Sequence, residues 1–251
     1  QPEFTQLDME MSFVDRDDIM ALIERLMTGI VENNTQKQIQ FKPFPRLGYT
    51  EAMARFGRDN PDIRFGMELV DLTDQAAASG FKVFSDTAAA GGLVKGMNVK
   101  GQGHYSRKQI DELTDFVKDF GAKGLAWLVV DEGGAVSRSS FAKFLSAEEL
   151  AAIVSQMAGQ PGDLLLFVAD KPAITNESLG RLRVELGQRL SLVDPNVLAF
   201  CWVIDFPFLV WNEEETRWDP SHHLFTAPMN EDVALLDTDP GQARGKQYDL
   251  D

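Results

Sequence analysis

The first residues of the chain, from Phe4 to Val14, alternate between apolar and polar side chains with the period of a β-strand. One face carries Thr5, Leu7, Met9, Met11 and Phe13. The other face carries Phe4, Gln6, Asp8, Glu10 and Ser12. The pattern predicts a strand with an apolar face and a face of amide and carboxylate groups. It fits both an ordinary half-solvated strand and a strand whose polar face lines a ligand site.

A helix is predicted after this strand, because apolar residues recur at helical spacing between Ile19 and Ile30. The acidic residues at its start, where the helix dipole favours negative charge, are Asp15, Asp17 and Asp18. We expect this helix to end at Asn33-Asn34. A second, short helix is predicted from an N-cap at Thr50 to Gly57.

From about Gly66 to Pro195, short apolar runs alternate with helical patterns, which is typical of an α+β domain. The runs predicted as strands are Phe81–Phe84, Leu93–Val99, Leu125–Val130 and Leu164–Val168. Capping boxes predict helices that begin after Ser106 and Ser146, and a third helix is predicted from near Asn176. This block contains no glycine-rich phosphate loop.

The last part of the chain returns to strand patterns. Ala199–Ile204 is predicted as a strand, Asn212–Pro220 resembles a hairpin, and the pair His222-His223 follows. Tyr248–Asp251 predicts the start of a further strand.

Composition narrows the class of protein. The 251 residues include 39 acidic and 24 basic side chains, and the net charge of −15 disfavours a general nucleic-acid binder. Hydrophobic residues make up 44% of the chain, which excludes a disordered or fibrous protein. No apolar run reaches the roughly 18–20 residues of a membrane span, so we expect no membrane partner. The single Cys201 fits a reducing cytoplasm, and a chain that opens on Gln1 without a leader predicts a processed or internal piece.

Few residues are candidates for chemistry. The pair His222-His223 on a polar loop could bind an anion, but adjacent histidines on extended backbone point apart and make poor joint zinc ligands. Cys201 lies in an apolar strand and is expected to pack as a small hydrophobic residue. Asp8 and Glu10 could meet Asp249, from a distant strand, across an antiparallel sheet. Carboxylates gathered in this way suit a substrate ammonium group or Mg²⁺ that carries phosphates.

These residues stand in a sequence that resembles the bacterial-type aspartyl-tRNA synthetases, which are class II enzymes. The run Gln1–Phe13 is similar to the second half of motif 2 in that family. The likeness continues in order through Phe44–Arg46, Tyr49–Ala52, Asp62–Gly66, Ser106–Asp111, Gly121–Ala126, Ala142–Leu145, Leu182-Arg183, Trp202–Pro207, His222-His223 and Tyr248-Asp249. It therefore covers essentially the whole chain.

The resemblance implies an α+β fold with a discontinuous catalytic domain. Residues 66–195 would form the insertion domain of the bacterial enzymes (the GAD domain), a two-layer arrangement of helices on an antiparallel sheet. Residues 1–65 and 196–251 would belong to the class II catalytic domain, which is built on a large antiparallel sheet.

The resemblance also implies substrates and their contacts. Gln1 would help to bind ATP, Asp8 would hold the amino group of L-aspartate, and His222 would close on a mobile loop over the side-chain carboxylate of the substrate. Asp249 would belong to an acidic pair that carries Mg²⁺ with ATP. The parent would be a homodimeric ligase that binds tRNA mainly through other parts. The family usually has proline where this chain has Leu224, so we expect a different loop closure.

The family's motif 1, its ATP-binding arginines and its anticodon-binding barrel have no counterpart in these 251 residues. The expectation is therefore an internal segment of an aspartate–tRNA ligase that is inactive by itself, with no catalytic residue of its own. The alternative is a non-catalytic GAD-type interaction module, either stand-alone or from a tRNA-dependent amidotransferase. The motif 2 residues at the start of the chain favour the ligase.

Overall fold

The computed structural model describes residues 3–251. Its helices are α1 (Arg16–Asn34), α2 (Tyr49–Phe56), α3 (Thr73–Ala77), α4 (Lys82–Ala89), α5 (Arg107–Lys118), α6 (Ala147–Gln156), α7 (Pro172–Arg189) and α8 (Leu235–Thr238). Its strands are β1 (Gln38–Ile39), β2 (Arg46–Gly48), β3 (Leu69–Asp71), β4 (Leu93–Val99), β5 (Ala126–Val130), β6 (Val136–Ser139), β7 (Leu164–Asp170), β8 (Val197–Leu198), β9 (Trp202–Ile204), β10 (Leu209–Asn212), β11 (Arg217–Pro220) and β12 (Asp249–Leu250). This mixture confirms the α+β class. None of the helices within residues 3–251 combines the length and the apolar character of a membrane span.

Side-chain caps fix where three of the helices begin. The side chain of Asp15 accepts from the N–H groups of Asp17 and Asp18, and the side chain of Asp18 accepts from the N–H of Asp15. The same reciprocal box opens α5 at Ser106 and α6 at Ser146, as predicted. Each box satisfies backbone donors that have no partner within the helix.

The largest sheet has the order β3-β4-β7-β5-β6, and every neighbouring pair of strands is antiparallel. The central strand β7 is a continuous apolar run with buried side chains on both faces. Helices α5 and α7 cover the face that holds Leu164 and Leu166, whereas α3, α4 and α6 cover the face that holds Leu165 and Phe167. One detail of the expected fold is therefore corrected. The sheet is the middle of three layers rather than one of two, because a strand that is apolar on both faces needs cover on both.

A smaller sheet joins strands from the two ends of the sequence. Its order is β12-β9-β2, with β2 parallel and β12 antiparallel to β9. Helix α1 packs on one face through Met20 against Trp202, and α2 packs on the other through Phe56 against Val203. Strand β1 also pairs with β8 in parallel, and β10 forms a hairpin with β11. The division of the chain at residues 66 and 195 stays a prediction, although the core clusters of the small sheet contain only residues from outside that range.

The strand expected over Phe4–Val14 is wrong. Residues 3–15 contain neither helix nor strand, and the apolar side chains of Leu7, Met11 and Phe13 are exposed. A strand is stable only when a neighbour satisfies its backbone hydrogen bonds, and no described strand pairs with this segment. Alternation alone does not supply that neighbour.

Other differences concern the limits of elements. The run Phe81–Phe84 enters helix α4, since a short apolar run does not distinguish a buried helix from a strand. The third predicted helix, α7, begins at Pro172, because proline suits the first turn. The short helix with a predicted N-cap at Thr50 has its N-cap two residues earlier, at Gly48, and ends as expected at a left-handed Gly57 with φ 69°. Within Ala199–Ile204, only the last three residues form a strand.

Arg183, on α7, is a buried cation that contacts the segment before β3. It is 1% exposed, and its guanidinium donates to the carbonyl oxygens of Phe65, Gly66 and Met67 at 2.8, 2.8 and 3.1 Å. The guanidinium carbon also lies 4.8 Å and 4.1 Å from the ring centroids of Phe56 and Phe65. Burial lowers the pKa of Arg183 to about 10. Arg183 thus joins α7 to the end of α2.

Lys95, on β4, makes a second such connection. Its ammonium donates to the carbonyl oxygens of Met53 and Ala54 in α2, at 3.2 and 3.3 Å, and to Asn176 Oδ1 in α7 at 2.9 Å. Burial lowers the pKa of Lys95. Helix α2 is therefore tied to the large sheet as well as to the small one.

Candidate functional site

The histidine pair lies on an exposed loop, residues 221–228, that follows β11. Phe225 at its tip is 92% exposed. The ring of His222 lies 6.4 Å from that of Phe206, which belongs to the core cluster between α2 and the small sheet. The ring of His223 instead lies 4.6 Å from that of Phe225. Only the first histidine of the pair therefore approaches the core of the small sheet.

The loop is hydrogen-bonded at both of its ends, at its start to Pro207 and at its end to an extended segment near the end of the chain. At the start of the loop, the hydroxyl of Ser221 donates to the carbonyl of Pro207, which also accepts from Gln247 Nε2 at 3.1 Å. At the end of the loop, the N–H of Lys246 donates to the carbonyl of Ala227 at 2.9 Å. The loop is fixed at its base and open at its tip.

Strand β12 continues from that segment and carries Asp249. Asp249 lies opposite Val203 in the antiparallel pair, and the next residue, Leu250, packs toward α1. Alternation therefore places the exposed Asp249 on the α2 side of the small sheet. Burial, and then the neighbouring charge of Asp249, raise the pKa of Asp251 on the same side to about 6. Asp249 and His222 border the same side of this sheet.

Asp8 is not brought to this site. It is exposed, and no hydrogen bond or ion pair joins it to another residue in the described part of the chain. The expected meeting of Asp8 and Glu10 with Asp249 across a sheet is not observed, because β12 pairs with β9 and residues 3–15 pair with no described strand. Gln1 lies outside the described residues.

A cleft of about 520 Å³ opens between the first turn of α1 and the residues before β12. Arg16 at the start of α1 donates to Asp205 Oδ1 at 2.9 Å, and Lys246 donates to Asn230 Oδ1 at 2.8 Å. Tyr248 also lines the cleft, and burial raises the pKa of its hydroxyl. A guanidinium, an ammonium and a phenol are groups that suit a polar ligand. Asp15 and Asp17 line the same cleft, and Asp15 already accepts from the first N–H groups of α1, so the helix N-terminus is not open to an anion.

The described carboxylates do not form a complete Mg²⁺ site by themselves. Across residues 3–251, no group of three or more histidine, cysteine or acidic side chains is arranged to hold a metal ion. Mg²⁺ in nucleotide sites is usually bound by one or two carboxylates together with substrate phosphates and water. The exposed carboxylate of Asp249, with Asp251 on the same side, fits that kind of site, in which the nucleotide supplies the remaining oxygens.

Cys201 is fully buried in the core between α2 and the small sheet. Burial raises the pKa of its thiol to about 12. A protonated, inaccessible thiol is a poor nucleophile at neutral pH. The prediction that Cys201 packs as a hydrophobic residue is confirmed.

Several polar residues around the histidine loop were not predicted from the sequence. They are Arg16, Asp205, Asp232, Arg244 and Gln247. The Arg16–Asp205 pair joins positions 189 residues apart, and no periodic pattern marks such a pair. One of these residues, Asp205, has an unusual local backbone conformation. Asp205 has a positive φ of 59°, a conformation that aspartate tolerates better than most residues.

Comparison with known proteins places this sequence in a family. The family model of class II tRNA synthetases (D, K and N) matches residues 1–251. The aspartate–tRNA(Asp/Asn) ligase of Geotalea uraniireducens is 51% identical over 250 residues, which is 100% of this chain and 42% of that protein. The ligase of the same name from Symbiobacterium thermophilum is 56% identical over 233 residues, which is 93% of this chain and 39% of that protein.

A further relative carries the narrower name aspartate–tRNA ligase. This protein, from Ruminiclostridium cellulolyticum, is 47% identical over 250 residues, which is 100% of this chain and 42% of its own length. The chain thus spans about two fifths of the length of the curated relatives that it matches. Because the family model extends from the first residue to the last, the chain belongs to the class II tRNA synthetases of the D, K and N group.

Proposed function

We propose that this chain is part of an aspartate–tRNA ligase, an enzyme that activates L-aspartate with ATP and transfers the aspartyl group to tRNA. The observation that carries the proposal is the identity of about half of all positions, along the whole chain, with relatives of that name. The alternative of a stand-alone GAD-type module is disfavoured, because the likeness extends through residues 1–65 and 196–251 as well as the block between them.

Each site residue has a proposed role that the resemblance to the family implies and that its side-chain chemistry allows. Asp8 accepts the ammonium group of L-aspartate, and His222 donates to the side-chain carboxylate of the substrate. Gln1 contacts ATP, and Asp249 binds Mg²⁺ that accompanies ATP. Bound Mg²⁺ would neutralise charge on the phosphates. The residues of this chain bind and orient the reactants, and none of them acts as a nucleophile.

The partners of the whole protein follow from the same proposal. tRNA contacts come mainly from other parts of the protein, since the net charge of −15 opposes broad contact between this part and a phosphate backbone. We expect the ligase to act as a homodimer in the cytoplasm.

The location of His222 near Phe206, on the side of the small sheet that carries Asp249, supports a pocket that His222 and Asp249 share.

The proposal is tested by aspartate-dependent ATP–pyrophosphate exchange in a full-length protein that carries this chain. His222→Ala is expected to raise KM for aspartate by about tenfold to 100-fold, because it removes a charge-assisted hydrogen bond. The matched control is His223→Ala, which alters the neighbouring ring that packs on Phe225 and is expected to change KM at most about twofold.

Asp249→Asn tests the proposed binding of Mg²⁺ separately from the binding of L-aspartate. This substitution is expected to raise the Mg²⁺ concentration needed for half-maximal exchange and to leave KM for aspartate near its original value. Exchange that depends on lysine or asparagine but not on aspartate would contradict the proposed substrate. Equal effects of His222→Ala and His223→Ala would contradict the role given to His222.

A further inference from the structure

Arg244 lies between the two chain segments that frame the 221–228 loop. An antiparallel bridge pairs it with Pro207, which accepts a hydrogen bond from Ser221 at the start of the loop. Its carbonyl oxygen accepts from the N–H of Met229, just after the loop, at 2.8 Å. A displacement of Arg244 would therefore move both ends of the loop.

Asp232 holds Arg244 through both backbone and side chain. Asp232 Oδ2 accepts from the backbone N–H of Arg244 at 2.9 Å and from its Nε at 2.7 Å, and Oδ1 accepts from Nη2 at 3.0 Å. The carboxylate is 8% exposed. The Arg244 side chain is 40% exposed, so the sheltered part of the pair is the carboxylate. A two-pronged, charge-assisted pair is stronger and more directional than a single contact.

The neighbouring acid provides an internal comparison. Glu231 also accepts from Arg244 Nη2, but by a single contact of 3.2 Å, and its side chain is 57% exposed. Exposed single contacts of this kind contribute little to stability or orientation. Of the two acids, Asp232 is the one that orients Arg244.

We propose that the Asp232–Arg244 pair positions the loop that carries His222 and thereby sets the affinity for the amino-acid substrate. Both are positioning residues, because neither needs to touch the substrate. The inference rests on the proposed function, in which His222 binds the side-chain carboxylate of L-aspartate. It adds to that function a positioning role for Asp232 and Arg244, which are not among the expected binding residues.

The test uses Asp232→Asn in a full-length protein that carries the chain, with Glu231→Gln as the matched control. Asparagine keeps the size of the side chain but has one acceptor oxygen and no charge. KM for aspartate in pyrophosphate exchange is expected to rise about tenfold in Asp232→Asn, with KM for ATP unchanged. Glu231→Gln is expected to keep both constants within about twofold. An unchanged KM for aspartate in Asp232→Asn, or an equal rise in Glu231→Gln, would overturn the inference.

A second readout reports on the loop without any activity. Phe225 is exposed at the loop tip, so chymotrypsin cleavage after Phe225, mapped by mass spectrometry, measures how firmly the base of the loop is held. Cleavage is expected to be several-fold faster in Asp232→Asn than in Glu231→Gln, and equal rates would overturn the inference. A protein without substitutions that shows no aspartate-dependent exchange would contradict the proposed function, which the cleavage assay does not depend on.

Arg244→Lys is the second variant, for the case in which Asp232→Asn does not fold. Lysine keeps the charge but presents a point charge in place of the fork. A KM for aspartate that rises in Arg244→Lys, by less than the roughly tenfold rise expected for loss of the ion pair, would support the inference. A KM equal to that of the protein without substitutions would overturn it.

Discussion

Arg181 and Arg183 lie two positions apart on α7 and have different environments. Arg183 is buried and donates to three backbone carbonyl oxygens. Arg181 has a side chain that is 46% exposed, pairs with Glu177 one turn away and lies 5.5 Å from the centroid of the Phe120 ring. The sequence shows two similar arginines on one helix. Burial and hydrogen bonding, rather than charge alone, separate their expected contributions to stability.

Substitution of each arginine by methionine tests this difference. Arg183→Met leaves the carbonyl oxygens of Phe65, Gly66 and Met67 without the donor that they share, so we expect the free energy of unfolding to fall by about 2–4 kcal/mol. Arg181→Met removes an exposed pair and is expected to change it by less than about 0.5 kcal/mol. Urea unfolding followed by circular dichroism measures both. Similar losses in the two variants would show that the junction between α7 and α2 does not depend on the buried guanidinium.

At the scale of single residues, the sequence predicted environments that depend only on neighbouring positions in the chain. The burial of Cys201 follows from the apolar run in which it lies, whereas His222 and His223 lie on a loop, where strand alternation does not apply. The ion pairs Asp232–Arg244 and Arg16–Asp205 depend on the folded path of distant segments, so no spacing rule predicts them. The expected meeting of Asp8 with Asp249 across a sheet is not observed for a related reason, since the strand predicted around Asp8 has no described partner.

At the scale of elements, glycines in two helices have opposite surroundings. Gly29 in α1 has open space, because the nearest atom to a Cβ at that position would be Asn33 Nδ2 at 3.9 Å. A Cβ at Gly180 in α7 would lie 2.8 Å from Arg58 Cγ and 3.0 Å from two carbonyl oxygens at the end of α2. The close approach of α7 to α2 thus requires glycine at this position.

The two helices should therefore respond oppositely to the same substitution. Gly29→Ala is expected to stabilise the chain by about 0.5–1 kcal/mol, as alanine does inside a helix. Gly180→Ala is expected to destabilise it by about 1–3 kcal/mol through overpacking, despite the same gain in helix propensity. Thermal unfolding of the two variants gives the comparison. A stabilising Gly180→Ala would show that α7 can move away from α2 at little cost.

Elements with local signals were predicted well, and elements with non-local partners were not. Capping boxes fixed the starts of α5 and α6, and apolar runs located β4, β5 and β7. The parallel pairing of β2 with β9 leaves no mark on either strand's own sequence. The third layer around the large sheet was missed, although the continuous apolar run of β7 indicated burial on both faces.

At the scale of the whole molecule, stability should depend on pH through its paired carboxylates. Hydrogen bonds from Arg55 lower the pKa of Glu68, and those from Arg244 lower the pKa of Asp232. A carboxylate with a lowered folded-state pKa stabilises the fold at pH values above its unfolded pKa of about 4. That stabilisation is lost as the pH falls through the lower, folded-state pKa.

The midpoint of thermal unfolding is therefore expected to fall as the pH decreases below about 4. Glu68→Gln removes one of these titrations and should show a smaller fall over the same range, from a lower starting value. Differential scanning calorimetry between pH 3 and pH 7 measures both, with the pH range chosen to bracket the unfolded pKa of about 4. A Glu68→Gln profile parallel to that of the original chain would contradict the contribution of the Arg55–Glu68 pair.

The parallel pairing of β2 with β9 also has a consequence for how the chain folds. These strands are separated by most of the sequence, and closing so long a flexible loop is entropically costly and slow. The large sheet and its helices reduce that cost once they have formed. Arg183 on α7, the helix that precedes β9, holds Phe65–Met67, the segment that precedes the large sheet, and so brings the two ends of the intervening chain close together. We therefore expect β9 to meet β2 late in refolding, as a short-range docking event between ends that are already close together.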